Sequence, residues 1–171
     1  MSESMANVEG YLSHTYEPDR EFLNGIPLER SPATILHSLL QGILVAFLKD
    51  RCENALVLPE ARLRIAPDRY RIPDVMVLER PIKPGKVVED VPAVTIEIMS
   101  PDDTFEQVLE KCNEYQALGV RHIVLMDPEH SRHYVFASAP MRDVPAALCV
   151  MPAVKIALRH CQFEIPPSIF D

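Results

Sequence analysis

Two apolar runs constrain this chain more than any other feature. Pro73-Asp74-Val75-Met76-Val77-Leu78 and Val94-Thr95-Ile96-Glu97-Ile98-Met99 are rich in β-branched residues, and each carries one carboxylate. Such runs read as strands buried on both faces. A charge inside a buried strand is costly unless it is paired or binds a metal. With Lys111 on the segment that follows, Asp74 and Glu97 make a candidate metal site.

The second run closes at Ser100-Pro101. Asp103 with Glu106 three residues on, just ahead of an amphipathic stretch, resembles a capping box. A helix is therefore predicted from there to about Leu118, stopped at Gly119. Residues 121–126 read as a further strand ending at Asp127-Pro128, with 132–137 as its hairpin partner. A helix crossing between two strands implies a partly parallel pair.

Upstream, apolar Met5, Val8 and Leu12 predict a short first helix. Asn24-Gly25 predicts a hairpin between strands near 20–23 and 26–30, which would carry Glu21 and Glu29. Residues 32–49 set Ile35, Leu36, Leu39, Leu40, Ile43, Leu44, Phe47 and Leu48 at helical spacing, with Ser31 as N-cap and Pro32 in the first turn. This is the predicted long core helix, and His37 sits beside its stripe. Strands at 55–58 and 61–66, broken at Pro59-Glu60, lead through a turn at Pro67-Asp68 to the strand carrying Asp74. Residues 80–92 form a proline-rich loop, and apolar runs at 147–151 and 154–158 read as edge strands. The fold class is α/β: a mixed sheet flanked by helices, with an N-terminal helix and β-hairpin.

The chain's 171 residues fit a single domain. No apolar run approaches the roughly 20 residues that cross a bilayer. The polar, acidic N-terminus lacks the basic flank and apolar stretch of a signal peptide. A cytoplasmic protein with no membrane partner is expected. Four scattered cysteines (Cys52, Cys112, Cys149, Cys161) form no C-x-x-C pair, so zinc is not expected and reduced core thiols are. His122, His130 and His133 lack zinc-ligand spacing and read as loop or surface residues. The net charge of −8 argues against strong non-specific binding to nucleic acid. Arg62, Arg64, Arg69 and Arg71 either contact phosphates or pair with the surplus acids.

Lys111 lies seven residues into its helix, roughly 10 Å at ~1.5 Å per residue. Glu97 lies three residues from its strand's end, again roughly 10 Å at ~3.3 Å per residue. The two share a height if the helix packs back on the strand, and Tyr115 shares the helical face of Lys111. Such a trio suits metal-assisted phosphodiester hydrolysis. Carboxylates hold a hard ion such as Mg²⁺, and a lysine orients water or stabilises developing charge.

These residues recur in a recognisable order. Glu21-Phe-Leu-Asn-Gly25, His37 on a helix, Ile72-Pro73-Asp74-Val75, Glu97-Ile-Met-Ser100-Pro101, Lys111-x-x-x-Tyr115, Gly119-Val120 and Asp127-Pro128 resemble the Uma-type family of putative restriction endonucleases. That family falls within the PD-(D/E)xK nuclease superfamily, and the resemblance runs from about residue 8 to the C-terminus. It implies a restriction-endonuclease-like sheet and one nuclease-like domain over residues 1–171. It also implies a site where Asp74, Glu97 and the Ile98 carbonyl bind Mg²⁺ or Mn²⁺. Asp74, Glu97, Lys111 and Glu21 would be catalytic, while His37 and Tyr115 would meet the substrate. The superfamily's common lysine position, two residues past the acid, holds Met99; the family pattern places it on the following helix, as Lys111.

The function expected is a metal-dependent phosphodiesterase: an endonuclease acting on nucleic acid, with DNA favoured and a homodimer possible. The alternative is a non-catalytic member of the same fold, acting as an interaction or regulatory module, which the net charge of −8 motivates. A metal-dependent hydrolase of a small phosphorylated substrate would share the site.

Overall fold

In the computed structural model, which describes residues 7–136, 148–151 and 153–171, the two carboxylate-bearing runs pair antiparallel inside a mixed sheet. Helix α1 (Val8–Ser13) is followed by the hairpin β1 (Glu21–Leu23) and β2 (Ile26–Leu28), then by the long helix α2 (Ile35–Arg51). Strands β3 (Ala55–Pro59), β4 (Leu63–Ala66), β5 (Arg69–Arg71), β6 (Val75–Glu79) and β7 (Val94–Ile98) precede helix α3 (Phe105–Leu118). The remainder is β8 (His122–Asp127), β9 (Arg132–Phe136), β10 (Leu148–Met151), β11 (Val154–Ala157), β12 (Gln162–Ile165) and a 3-10 turn, Pro167–Phe170.

The larger sheet has the order β10-β9-β8-β7-β6-β3. Strands β7 and β8 are parallel, with Glu97 beside Leu125, so α3 is the predicted crossover. Alternation along the strands sorts the side chains between two faces. Val75, Val77, Val94, Ile96, Ile98, Val124 and Met126 pack with Leu40, Leu44 and Leu48 of α2. Met76, Ile123 and Leu125 pack with Val108, Cys112 and Tyr115 of α3. Glu97 falls on the α3 side by the same alternation, which brings it within reach of that helix. A smaller sheet, β2-β1-β5-β4, carries Glu21 and is backed by Tyr11 of α1 against Phe22 and Tyr70.

Local chemistry explains most boundaries. Asn24 and Gly25 both adopt positive φ (52° and 87°), which gives the two-residue turn that pairs Leu23 with Ile26. Gly119 ends α3 in the left-handed region at φ 100°. Two N-caps differ from expectation. Thr34, not Ser31, caps α2, its hydroxyl accepting from the His37 N–H at 3.1 Å, while the Ser31 hydroxyl donates to Asp103 at 2.7 Å. The capping box of α3 is Thr104 with Gln107, one residue later than Asp103 with Glu106. Asp103 is instead committed to the Ser100 N–H at 2.8 Å.

Other differences follow from packing. Glu29 lies one residue beyond β2, and β5 is a separate strand ahead of Asp74. Only one side of α2 faces the sheet, so Ile35, Leu36, Leu39 and Ile43 stay exposed. Loop 80–92 is tied down by Val88, whose N–H donates to the Arg62 carbonyl at 2.8 Å. Strand β10 does sit at the sheet edge, but β11 pairs with β12 in a hairpin that covers α2's face of the core. Cys52 and Cys161 form a disulfide instead of remaining reduced, and Cys112 is free and buried. Met5 of the predicted first helix lies outside the described residues.

Candidate active site

The sheet's interruption just ahead of β6 builds the first half of the site. The β6–β7 ladder pairs Val75 with Ile96, and Asp74 stands one residue before it. Its side chain takes over where the ladder stops: Asp74 Oδ2 accepts the Ile98 N–H at 2.7 Å. The Arg30 Nη2 donates to Asp74 Oδ1 at 2.7 Å, and His37 Nε2 lies 3.3 Å from Oδ2. Gln41 of α2 donates to the Asp74 carbonyl at 2.9 Å. Three segments therefore converge on one carboxylate.

Helix α3 and strand β1 build the second half. Lys111 Nζ lies 3.2 Å from Glu97 Oε2 and 3.1 Å from Glu21 Oε1, bridging the two carboxylates. Tyr115, one turn on, donates its hydroxyl to Glu97 Oε1 at 2.6 Å. Arg71 donates to Glu21 Oε2 at 2.8 Å and is held from behind by Glu114 at 2.6 Å. Glu21, Arg30, His37, Asp74, Glu97, Ile98 and Lys111 all line one cleft of about 180 Å³.

The protonation states are unequal. Burial raises the Glu97 carboxyl to about 7, assisted by the neighbouring Asp74 and Glu21 charges and opposed by Lys111. Burial acts the same way on Asp74, but His37, Arg30 and the Ile98 N–H outweigh it and hold that carboxyl below its usual range. Glu21 is likewise lowered, since Lys111 and Arg71 overcome its burial. Burial disfavours the Lys111 charge, yet the three carboxylates raise its pKa and keep it an ammonium. One site thus holds a carboxyl poised near neutrality beside two that stay ionised.

A family model described as "Putative restriction endonuclease", Uma2, matches residues 9–145. The chain belongs to the Uma2 family. Among solved structures, this Uma2 chain is similar to a protein titled "putative nuclease belonging to DUF820" from Anabaena variabilis ATCC 29413. The match covers 95% of each chain at 18% identity, with a TM-score of 0.77. At that identity the likeness concerns the fold, which is the mixed, helix-flanked sheet of a nuclease-like protein. No curated protein matches.

The Uma2 chain brings together all the side chains read from the sequence as site residues, with one change of station. Tyr115 is fully buried and does not line the cleft, so it holds Glu97 from behind rather than meeting a substrate. Arg30 and Arg71 belong to the cleft as well, without a signal in the sequence. Arg30 lies on an irregular segment whose path no periodicity reveals, and Arg71 is one of four arginines that spacing alone does not distinguish. Those four are bound to acids: Arg62 to Asp19, Arg64 to Glu89, Arg69 and Arg71 to Glu114. His133, read as a surface residue, is buried with its Nε2 unpartnered among the described residues.

Two carboxylates and a carbonyl are a fitting set for one hard ion. Mg²⁺ takes one or two carboxylates and keeps several waters, so it needs no larger cage. Among the described residues no group of three or more His, Cys, Asp or Glu side chains forms one. Burial is the main cause of the raised Glu97 carboxyl, with the Asp74 and Glu21 charges adding to it, so a cation held between Asp74 and Glu97 would favour the ionised form of Glu97.

Proposed function

We propose that this chain is a Mg²⁺- or Mn²⁺-dependent endonuclease that hydrolyses phosphodiester bonds of nucleic acid, DNA being the favoured substrate. The reading rests on one observation: Lys111 bridges Glu97 and Glu21 in the same cleft that holds Asp74. Asp74, Glu97 and the Ile98 carbonyl would hold the ion. When bound, it would polarise the phosphate and lower the pKa of a coordinated water. Lys111, kept protonated by its carboxylate partners, serves as a fixed donor and charge rather than as a base. Glu21 holds that ammonium in place, and Arg71 holds Glu21. Arg30 and His37 fix Asp74, and both face the cleft where a phosphate would enter. Residues 1–171 would act as one domain; a cytoplasmic location would require the Cys52–Cys161 bridge to persist against a reducing thiol pool.

A specific observation supports the second reading, a non-catalytic interaction or regulatory module. The four arginines nearest the Asp74 strand are engaged by acids, and the net charge is −8, so the strands leading to the site offer no free arginine row to a phosphate backbone. Incubation of supercoiled plasmid with Mn²⁺ separates the two. Cleavage by the wild type and none by Asp74→Asn or Glu97→Gln, both shown to be folded, is the expected result. Absence of wild-type cleavage on DNA, RNA and small phosphodiesters would leave the module reading.

A further inference from the structure

Two arginines and a lysine line the cleft, and they are held unequally. Arg71 is locked between Glu21 at 2.8 Å and Glu114 at 2.6 Å, its side chain only 5% exposed. Lys111 bridges Glu97 and Glu21. Arg30 is held firmly at one end only. Its Nη2 donates to Asp74 Oδ1 at 2.7 Å, while its Nη1 reaches the exposed Glu60 at a longer 3.3 Å. It stands on residues 29–34, which form neither helix nor strand. The oxygens of Asp74 are also used unequally. Oδ2 accepts the Ile98 N–H at 2.7 Å and faces His37 at 3.3 Å, so donors of the chain already fill it. Among the described residues, Oδ1 has Arg30 as its partner and keeps a lone pair toward the cleft. A buried carboxylate needs a positive partner, and Arg30 supplies it on the very oxygen that is left to bind a cation. Two positive groups on one oxygen repel each other.

We propose, resting on the metal-dependent reading of this cleft, that Arg30 holds the place of the cation at Asp74 and hands that carboxylate over when a substrate phosphate arrives to receive the guanidinium. An arginine presents its donors in a planar fork and binds a phosphate through two of them, so the exchange costs it no hydrogen bond. The other acids of the cleft wall are engaged. Glu29 pairs with Arg20, Asp103 accepts from Ser31 and the Ser100 N–H, and Glu110 lies beside Arg69 and Arg71. An incoming phosphate is therefore the acceptor open to Arg30. Phosphate binding and metal binding are then coupled, each favouring the other, because linkage between two sites is mutual. Arg30 thus acts both as a brake on metal uptake by the free protein and as a contact to the phosphate.

Calorimetric titration of Mn²⁺ into wild type and Arg30→Met, with and without a phosphorothioate DNA oligonucleotide that resists cleavage, tests this without a turnover assay. In the absence of oligonucleotide, Arg30→Met is expected to bind Mn²⁺ about tenfold more tightly than wild type, within the usual range of couplings between sites. A residue that only braced Asp74 would give the opposite sign, a loss of affinity. The oligonucleotide is expected to tighten Mn²⁺ binding about tenfold more in wild type than in the variant, which has no guanidinium to transfer. Arg30→Gln provides the same comparison if the methionine variant does not fold. Equal or weaker Mn²⁺ binding by the Arg30 variants, with wild-type binding still lost in Asp74→Asn, overturns the proposal and leaves the metal site standing. An oligonucleotide effect of equal size in wild type and variant overturns it too. No uptake of Mn²⁺ by wild type or variant, with or without oligonucleotide, overturns the metal-dependent reading and the proposal with it.

Discussion

Lys111 and Glu97 meet because two different periodicities come to the same height. Seven helical residues and three extended ones cover nearly equal distances, so their contact was readable from spacing once the helix was assumed to fold back on its strand. Arg30 shows the opposite case: it reaches Asp74 from an irregular segment, and nothing in a linear pattern foretells that path. Two predictions belong to single residues. Lys111→Ala is expected to lower cleavage roughly 10²–10³-fold, the usual cost of removing one donor to a developing charge. Its Mn²⁺ affinity should stay within a few-fold of wild type by calorimetry, and unchanged cleavage would remove the lysine's role. The second concerns pH in metal-free protein. Glu97 loses its proton near 4.5 when unfolded but near 7 when folded, so the native state binds more protons between those values. Stability from this group is therefore lost as pH rises through that window. Glu97→Gln cannot ionise, so from about pH 5 to about pH 8 its melting temperature should fall less than that of wild type. Parallel curves would contradict the raised carboxyl.

At the scale of elements, the sequence was most legible where local chemistry acts alone. The Asn24-Gly25 hairpin, the α3 stop at Gly119 and the parallel β7–β8 crossover all follow from turn and cap residues or from element order. Helix starts were less legible because Ser31 and Asp103, both good caps by residue type, bond each other and so leave capping to Thr34 and Thr104. The apolar stripe on α2 overstated its burial, since periodicity counts apolar residues without showing which of them meets the sheet. The Cys52–Cys161 link was invisible for a related reason: it joins the end of α2 to the β11–β12 turn across 109 residues, and cysteine spacing carries no record of that approach. Its removal supplies a prediction. Cys52→Ser is expected to destabilise the protein by about 2–4 kcal/mol in urea denaturation, because closing so long a loop restricts the unfolded chain. Wild type with reductant should match the variant. Equal midpoints in all three samples would show that the bridge contributes nothing.

Across the whole molecule, charge and fold pull the reading in different directions. The Uma2 family and a nuclease-like fold stand beside a net charge of −8 and arginines already committed to acids. The cleft shows the same balance. Glu21, Asp74 and Glu97 face Arg30, Arg71 and Lys111 there, but Glu29, Asp103 and Glu110 also line the cleft, so it is acidic like the chain as a whole. A bound divalent ion would offset much of that negative charge and ease the approach of a phosphate. Everything proposed for catalysis therefore depends on whether Asp74 and Glu97 bind metal. Calorimetric titration of Mn²⁺ into wild type and into folded Asp74→Asn answers this without knowledge of the substrate. Saturable binding by the wild type, lost in the variant, is the predicted result. A wild type that takes up no Mn²⁺, alone or with an oligonucleotide present to complete the site, would contradict the account.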